Sequence, residues 1–173
     1  MSRLDSFIRR VTAQRDCLNA AAQMLAGTPG VVLELGLGNG RTYDHLRDLF
    51  PDREIFVFDR QVAAHPECIP DDAHMLVGEL VDTLPPTVAR FEGEVALVHA
   101  DVGTGIAEAN ARLAAFFGPL ALRALAPGGL ALTDQRIPTE GWELVDPPAS
   151  VPADRYFIYR KPDTGAAGGA GNG

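Results

Sequence analysis

Residues 31–46 read VVLELGLGNGRTYDHL, five apolar-run positions followed by glycine at 36, 38 and 40 and then a helical pattern from Arg41. A short apolar run, a glycine-rich turn and a helix form the opening unit of an open α/β sheet. The same rhythm repeats downstream. EIFVFD (54–59), HMLVGE (74–79), EVALVHAD (94–101) and GLALTD (129–134) are apolar runs that read as buried strands. The stretches between them carry helical periodicity, clearest over 106–128, where Leu113, Phe116, Phe117, Leu120 and Leu125 line one face despite Gly118 and Pro119. Strands that are apolar on both faces and separated by helices imply a mostly parallel sheet covered on both sides. The fold class expected is doubly wound α/β. WELVDPP (142–148) and RYFIYRK (155–161) follow each other across a short loop, as a terminal antiparallel hairpin would.

Upstream of the decisive stretch, Leu4, Phe7, Ile8, Val11, Leu18, Ala21, Ala22 and Leu25 recur at three- and four-residue steps among polar residues. This is an amphipathic helix over residues 1–26. Gly27 to Gly30 ends it, and Arg9, Arg10, Arg15 and Asp16 interrupt any candidate signal sequence. With 173 residues in all, the chain is expected to form one domain over 1–162, the helix packed on it, and a Gly/Ala-rich disordered tail over 163–173. Hydrophobic residues make up 46% and charged ones 22%, with mean hydropathy +0.01, the balance of a water-soluble globule without a membrane span. The net charge of -8 and the absence of a basic stripe argue against nucleic acid and anionic lipid as partners. Lys161 is the only lysine, which removes a P-loop or catalytic lysine; Ser2, Ser6 and Ser150 form no nucleophile elbow. Cys17 and Cys68 make neither a disulfide framework nor a zinc site and suit a reducing cytoplasm.

The glycine loop lies where an open α/β sheet binds ligands, beyond the carboxyl end of its first strand. Its spacing is G-x-G-x-G with Arg41 at the sixth position, not the G-x-G-x-x-G/A of dinucleotide sites. Glu34 sets a carboxylate just before the loop, unwelcome beside a pyrophosphate and suited to an ammonium group. An NAD-binding oxidoreductase is therefore disfavoured.

In these residues the chain resembles the class I S-adenosylmethionine (SAM)-dependent methyltransferases, whose first motif is an acidic residue followed by G-x-G-x-G, as in ELGLGNG (34–40). The resemblance spans about residues 30–162. It implies a Rossmann-like seven-stranded sheet and SAM as methyl donor. It also implies a donor site built from Glu34, Gly36, Gly38, Asn39, Gly40 and Thr42, with Asp59 on the ribose, Glu79 and Leu80 at the adenine, and Asp101 near the sulfonium. LAPGGLAL (125–132) looks like that family's helix, turn and fifth strand.

An activated methyl donor leaves the protein to align the acceptor, and a base is required only where an acceptor proton must be removed. Asp101 is the leading candidate base, with His99 on the same strand face two positions earlier. His45 and Tyr43 lie in the first turn after the loop. No metal is expected. The catechol-type relatives hold a divalent ion with residues matching Asp101, Asp134 and Gln135, but their lysine base is Thr104 here and glutamine replaces asparagine. Between the fifth strand and Trp142 lies only QRIPTEG. A small-molecule acceptor pocket is thus expected to be finished by the N-terminal helix, by this loop or by another subunit of a homo-oligomer. Arg136 in the loop is placed to steer an anionic acceptor. The same shortness motivates a second reading, a protein that binds SAM or its product without turnover.

Overall fold

A computed structural model describes residues 2–138 and 140–163; apart from Asp163, the expected tail lies outside them. Helix α1 (Arg3–Met24) opens on a capping box, Ser2 accepting from the Asp5 N–H while the Asp5 carboxylate accepts from the Ser2 N–H. Five strands follow, β1 (Val31–Leu35), β2 (Ile55–Asp59), β3 (Met75–Val77), β4 (Val95–Ala100) and β5 (Leu125–Thr133). Between them run α2 (Arg41–Leu49), α3 (Leu80–Arg90) and α4 (Ala107–Ala124). Strands β6 (Glu143–Val145) and β7 (Phe157–Arg160) complete a seven-stranded sheet in the order β3-β2-β1-β4-β5-β7-β6. Strand β7 is antiparallel to both β5 and β6, and the other pairs are parallel. The expected doubly wound α/β sheet with a terminal hairpin is what forms.

Alternate residues of the central strands serve opposite layers. Val32, Val57 and Leu97 pack with Cys17, Leu18 and Ala21 of α1 and Leu46 of α2. Leu33, Phe56, Phe58 and Val98 pack with Leu84 and Val88 of α3 and Phe117 of α4. Both faces are buried, so the strand sequences read as continuous apolar runs. Two boundaries differ from the sequence reading. Strand β3 is shorter, 75–77, because it is the sheet edge and pairs only with β2. Strand β5 begins at Leu125, opposite Val95; the ladder then shifts and resumes at Leu130 opposite Leu97. Pro127 and Gly128 therefore form an irregularity within the strand, where composition alone suggests a turn before it.

The order 2-1-4 puts the reversal of winding between β1 and β4. There the carboxyl ends of neighbouring strands open a crevice.

Candidate active site

Three glycines after β1 meet three different requirements. All have positive φ, +98° at Gly36, +52° at Gly38 and +84° at Gly40, a region L side chains avoid. At Gly40 a Cβ would also stand 2.5 Å from Cys68 Cβ, and at Gly36 3.1 Å from Val102 Cγ1. At Gly38 it would meet nothing within 4 Å and would project from the turn into open space. Gly40 thus serves packing and is not part of the cleft lining, while Gly36 and Gly38 form the cradle.

The turn is held by the carboxylate at the end of β2. Asp59 Oδ2 accepts from the Leu37 and Gly38 N–H groups, both at 2.9 Å, and Oδ1 accepts one long bond from Gln61 N at 3.3 Å. Oδ1 therefore retains acceptor capacity. Asn39 Oδ1 accepts from Arg41 N at 3.2 Å at the start of α2, whose first N–H groups favour an anion.

The cleft over this turn has a volume of about 810 Å3, within the range of small-molecule sites. Glu34, Asn39, Thr42, Asp59, Glu79, Leu80 and Asp101 all line it, as does His45. Tyr43 is buried instead, with Arg47 over its ring at 5.0 Å. Helix α1 covers the far side with Phe7, Arg10, Val11 and Gln14. Arg10 Nη1 donates to Asp101 Oδ2 at 2.7 Å and Gln14 Nε2 to the same oxygen at 2.9 Å. This chain's own N-terminal helix thus forms one wall of the pocket. Neither Arg10 nor Gln14 was singled out by the sequence, although their four-residue spacing puts both on one helix face.

His99 lies behind the cleft wall. It is fully buried on β4, paired across the ladder with Glu34 of β1. Nδ1 is 2.5 Å from Glu34 Oε2, and Nε2 hydrogen-bonds the hydroxyl of Tyr156, also buried. Burial pushes the Glu34 carboxyl up against the opposing charge of His99. For His99 burial pulls the other way, but Glu34, with Asp101 and Asp134 beyond it, holds the imidazole above its ordinary value. Both shifts retain a proton in the pair. His99 is enclosed and outside the cleft lining, so its position differs from the expected one beside Asp101 at the acceptor: it stands behind Glu34. Burial likewise pushes the Cys17 thiol up to about 12, leaving no thiolate there.

Asp134 stands beside Asp101, outside the cleft lining. Gln135 Nε2 donates to its Oδ2 at 2.9 Å, and Oδ1 is buried with no partner among the described residues. Burial, with the Asp101 charge adding, pushes Asp134 up to about 6. Among the described residues no group of three or more His, Cys, Asp or Glu is arranged to hold a metal ion. Arg136, expected to face an acceptor, instead pairs with Asp154 and lies over the Phe157 ring at 4.6 Å.

Residues 1–161 match the model of a family described as S-adenosyl-L-methionine methyltransferase. The chain belongs to this family. It is a SAM-dependent methyltransferase, and the empty space over Gly38, the acceptor capacity of Asp59 and the cleft volume fit that donor. The crystal structure of an S-adenosyl-L-methionine methyl transferase from Silicibacter pomeroyi DSS-3 is similar at 46% identity and TM-score 0.87, over 93% of this chain and 99% of that one. TrmN from Thermus thermophilus shares the fold at 21% identity and TM-score 0.55, over 83% of this chain and 48% of that one. The antibiotic-resistance methyltransferase Kmr does so at 16% and 0.53, over 86% and 92%. No curated protein matches the sequence. No helix among the described residues is long and apolar enough to cross a membrane.

Proposed function

We propose that this methyltransferase acts on a small molecule that enters the cleft beneath α1. The observation that carries the reading is the roof itself: Arg10 and Gln14 reach over Asp101 from 2.7 and 2.9 Å, so that α1 walls this end of the cleft, a setting suited to a compact acceptor. In this reading Asp59 takes the donor's ribose hydroxyls, Glu34 its ammonium group, Glu79 and Leu80 its adenine, and the start of α2 with Thr42 its carboxylate. Asp101 faces the methyl group. SAM, when bound, supplies a methyl group already activated by a sulfonium. The protein's share is to orient the acceptor, to exclude water with α1, and to receive at Asp101 a proton that an acceptor must lose.

Donor and acceptor ends are tested separately. Asp59→Ala should weaken S-adenosylhomocysteine in titration calorimetry by about 1–3 kcal/mol, the loss of hydrogen bonds to a charged group; unchanged affinity contradicts the donor assignment. Incubation with labelled SAM and panels of small metabolites, RNA and protein identifies the acceptor class. Transfer to a macromolecule alone contradicts the acceptor reading.

A further inference from the structure

We propose that the acceptor carries an anionic group, a carboxylate or a phosphate, received at the mouth of the cleft by Arg41 and Arg10 on either side of contact with the Phe7 ring. The proposal rests on the reading of the cleft as the place where a small acceptor enters. Arg10, Arg15, Arg47, Arg112, Arg123 and Arg136 each pair with a carboxylate. Arg41 lines the cleft, yet among the described residues its guanidinium makes no ion pair and no hydrogen bond. Its recorded contact is with the Phe7 ring, whose centroid is 6.0 Å from Cζ.

Arg10 reaches the same ring from α1, its Cζ 5.7 Å from the centroid, while Nη1 rests on Asp101. Two guanidinium groups from different elements thus converge on one apolar wall at the open side of the site. Among the described residues no carboxylate of the cleft forms an ion pair with Arg41: Glu34 is engaged by His99, Asp59 by the loop amides, and Asp101 by Arg10 and Gln14, and Glu79 is the N-cap residue of α3. A guanidinium whose contact is with the face of an aromatic ring keeps its N–H groups available for an oxyanion. Since one Arg10 guanidinium reaches both the Phe7 ring and Asp101, the anion and the methylated atom would lie close together in one small, partly apolar molecule.

The test uses the full chain saturated with S-adenosylhomocysteine, so that the donor site is filled. Benzoate, phenyl phosphate and the neutral benzamide are titrated by NMR, with folding of each variant checked by thermal melting. At least one of the two anions should bind about tenfold more tightly than benzamide, and whichever binds identifies the oxyanion preferred. Arg41→Gln and Arg10→Gln should each weaken that anion about tenfold, whereas Arg60→Gln, another arginine of the cleft, should change it less than about twofold. Benzamide binding as well as both anions, or indifference of the anion to Arg41→Gln, overturns the proposal. So does an Arg41→Gln variant that loses S-adenosylhomocysteine but keeps 5′-methylthioadenosine, because the guanidinium then serves the donor's carboxylate. Failure of the unaltered protein to bind S-adenosylhomocysteine strikes the reading of the cleft instead, and is measured first.

Discussion

Asp101 meets two donors from one helix before any acceptor arrives, at 2.7 Å from Arg10 and 2.9 Å from Gln14. If it receives the acceptor's proton, Asp101→Asn keeps the shape and loses the basicity. Turnover on the identified acceptor should then fall by about tenfold or more while S-adenosylhomocysteine affinity stays within about twofold; undiminished kcat would remove Asp101 from that role. Its neighbour Asp134 gives a prediction about stability. Because the carboxyl is raised from 3.8 to about 6 in the fold, chiefly by burial, its protonated form is the one the fold favours. That contribution is complete below about pH 4 and is lost as pH rises through about 6. Asp134→Asn cannot ionise. It should exceed the parent in stability by about 1–2 kcal/mol at pH 8 and converge with it near pH 4 in urea titrations. Equal stabilities at both pH values would contradict the burial account.

At the scale of elements, α1 combines two duties on adjoining faces. Cys17, Leu18 and Ala21 are buried against the sheet, while Arg10 and Gln14 reach the cleft. Truncating residues 1–26 would therefore strip the core as well as the roof. Leu18→Ala should cost about 2–5 kcal/mol, as buried leucine truncations do, readable in a denaturant midpoint; a loss under 0.5 kcal/mol would mean α1 is not docked as described. The apolar repeat announced this helix, and the glycine spacing announced the cradle, because both are local patterns imposed by backbone geometry. The contacts of Arg10 with Asp101, and of His99 with Tyr156, join positions 91 and 57 residues apart. Nothing local records such a pairing. The i, i+4 relation of Arg10 and Gln14 was visible, but not what lies opposite. Strand β5 was mislocated at its start because Pro127 and Gly128 favour a turn wherever they stand, and only the pairing of Leu125 with Val95 overrides that preference.

For the whole molecule, the doubly wound order was legible because a strand buried on two faces has few polar positions left to hide its character. The net charge of -8 is the other whole-molecule property with a consequence. RNA and DNA oligonucleotides should show no tight, salt-dependent binding in fluorescence anisotropy at physiological ionic strength; steeply salt-dependent submicromolar binding would contradict it. The two central strands carry a safeguard of their own. Glu34 and His99 are direct partners across the β1/β4 ladder, and that ladder slips between Val31 and Val32 at its start. Displacing β1 by one residue would set Leu33 or Leu35 against the imidazole and turn the carboxylate to the opposite apolar layer. A mispaired sheet would leave that buried carboxyl and imidazole unmatched, so the pair behind the cleft also favours the native register of the strands that create it.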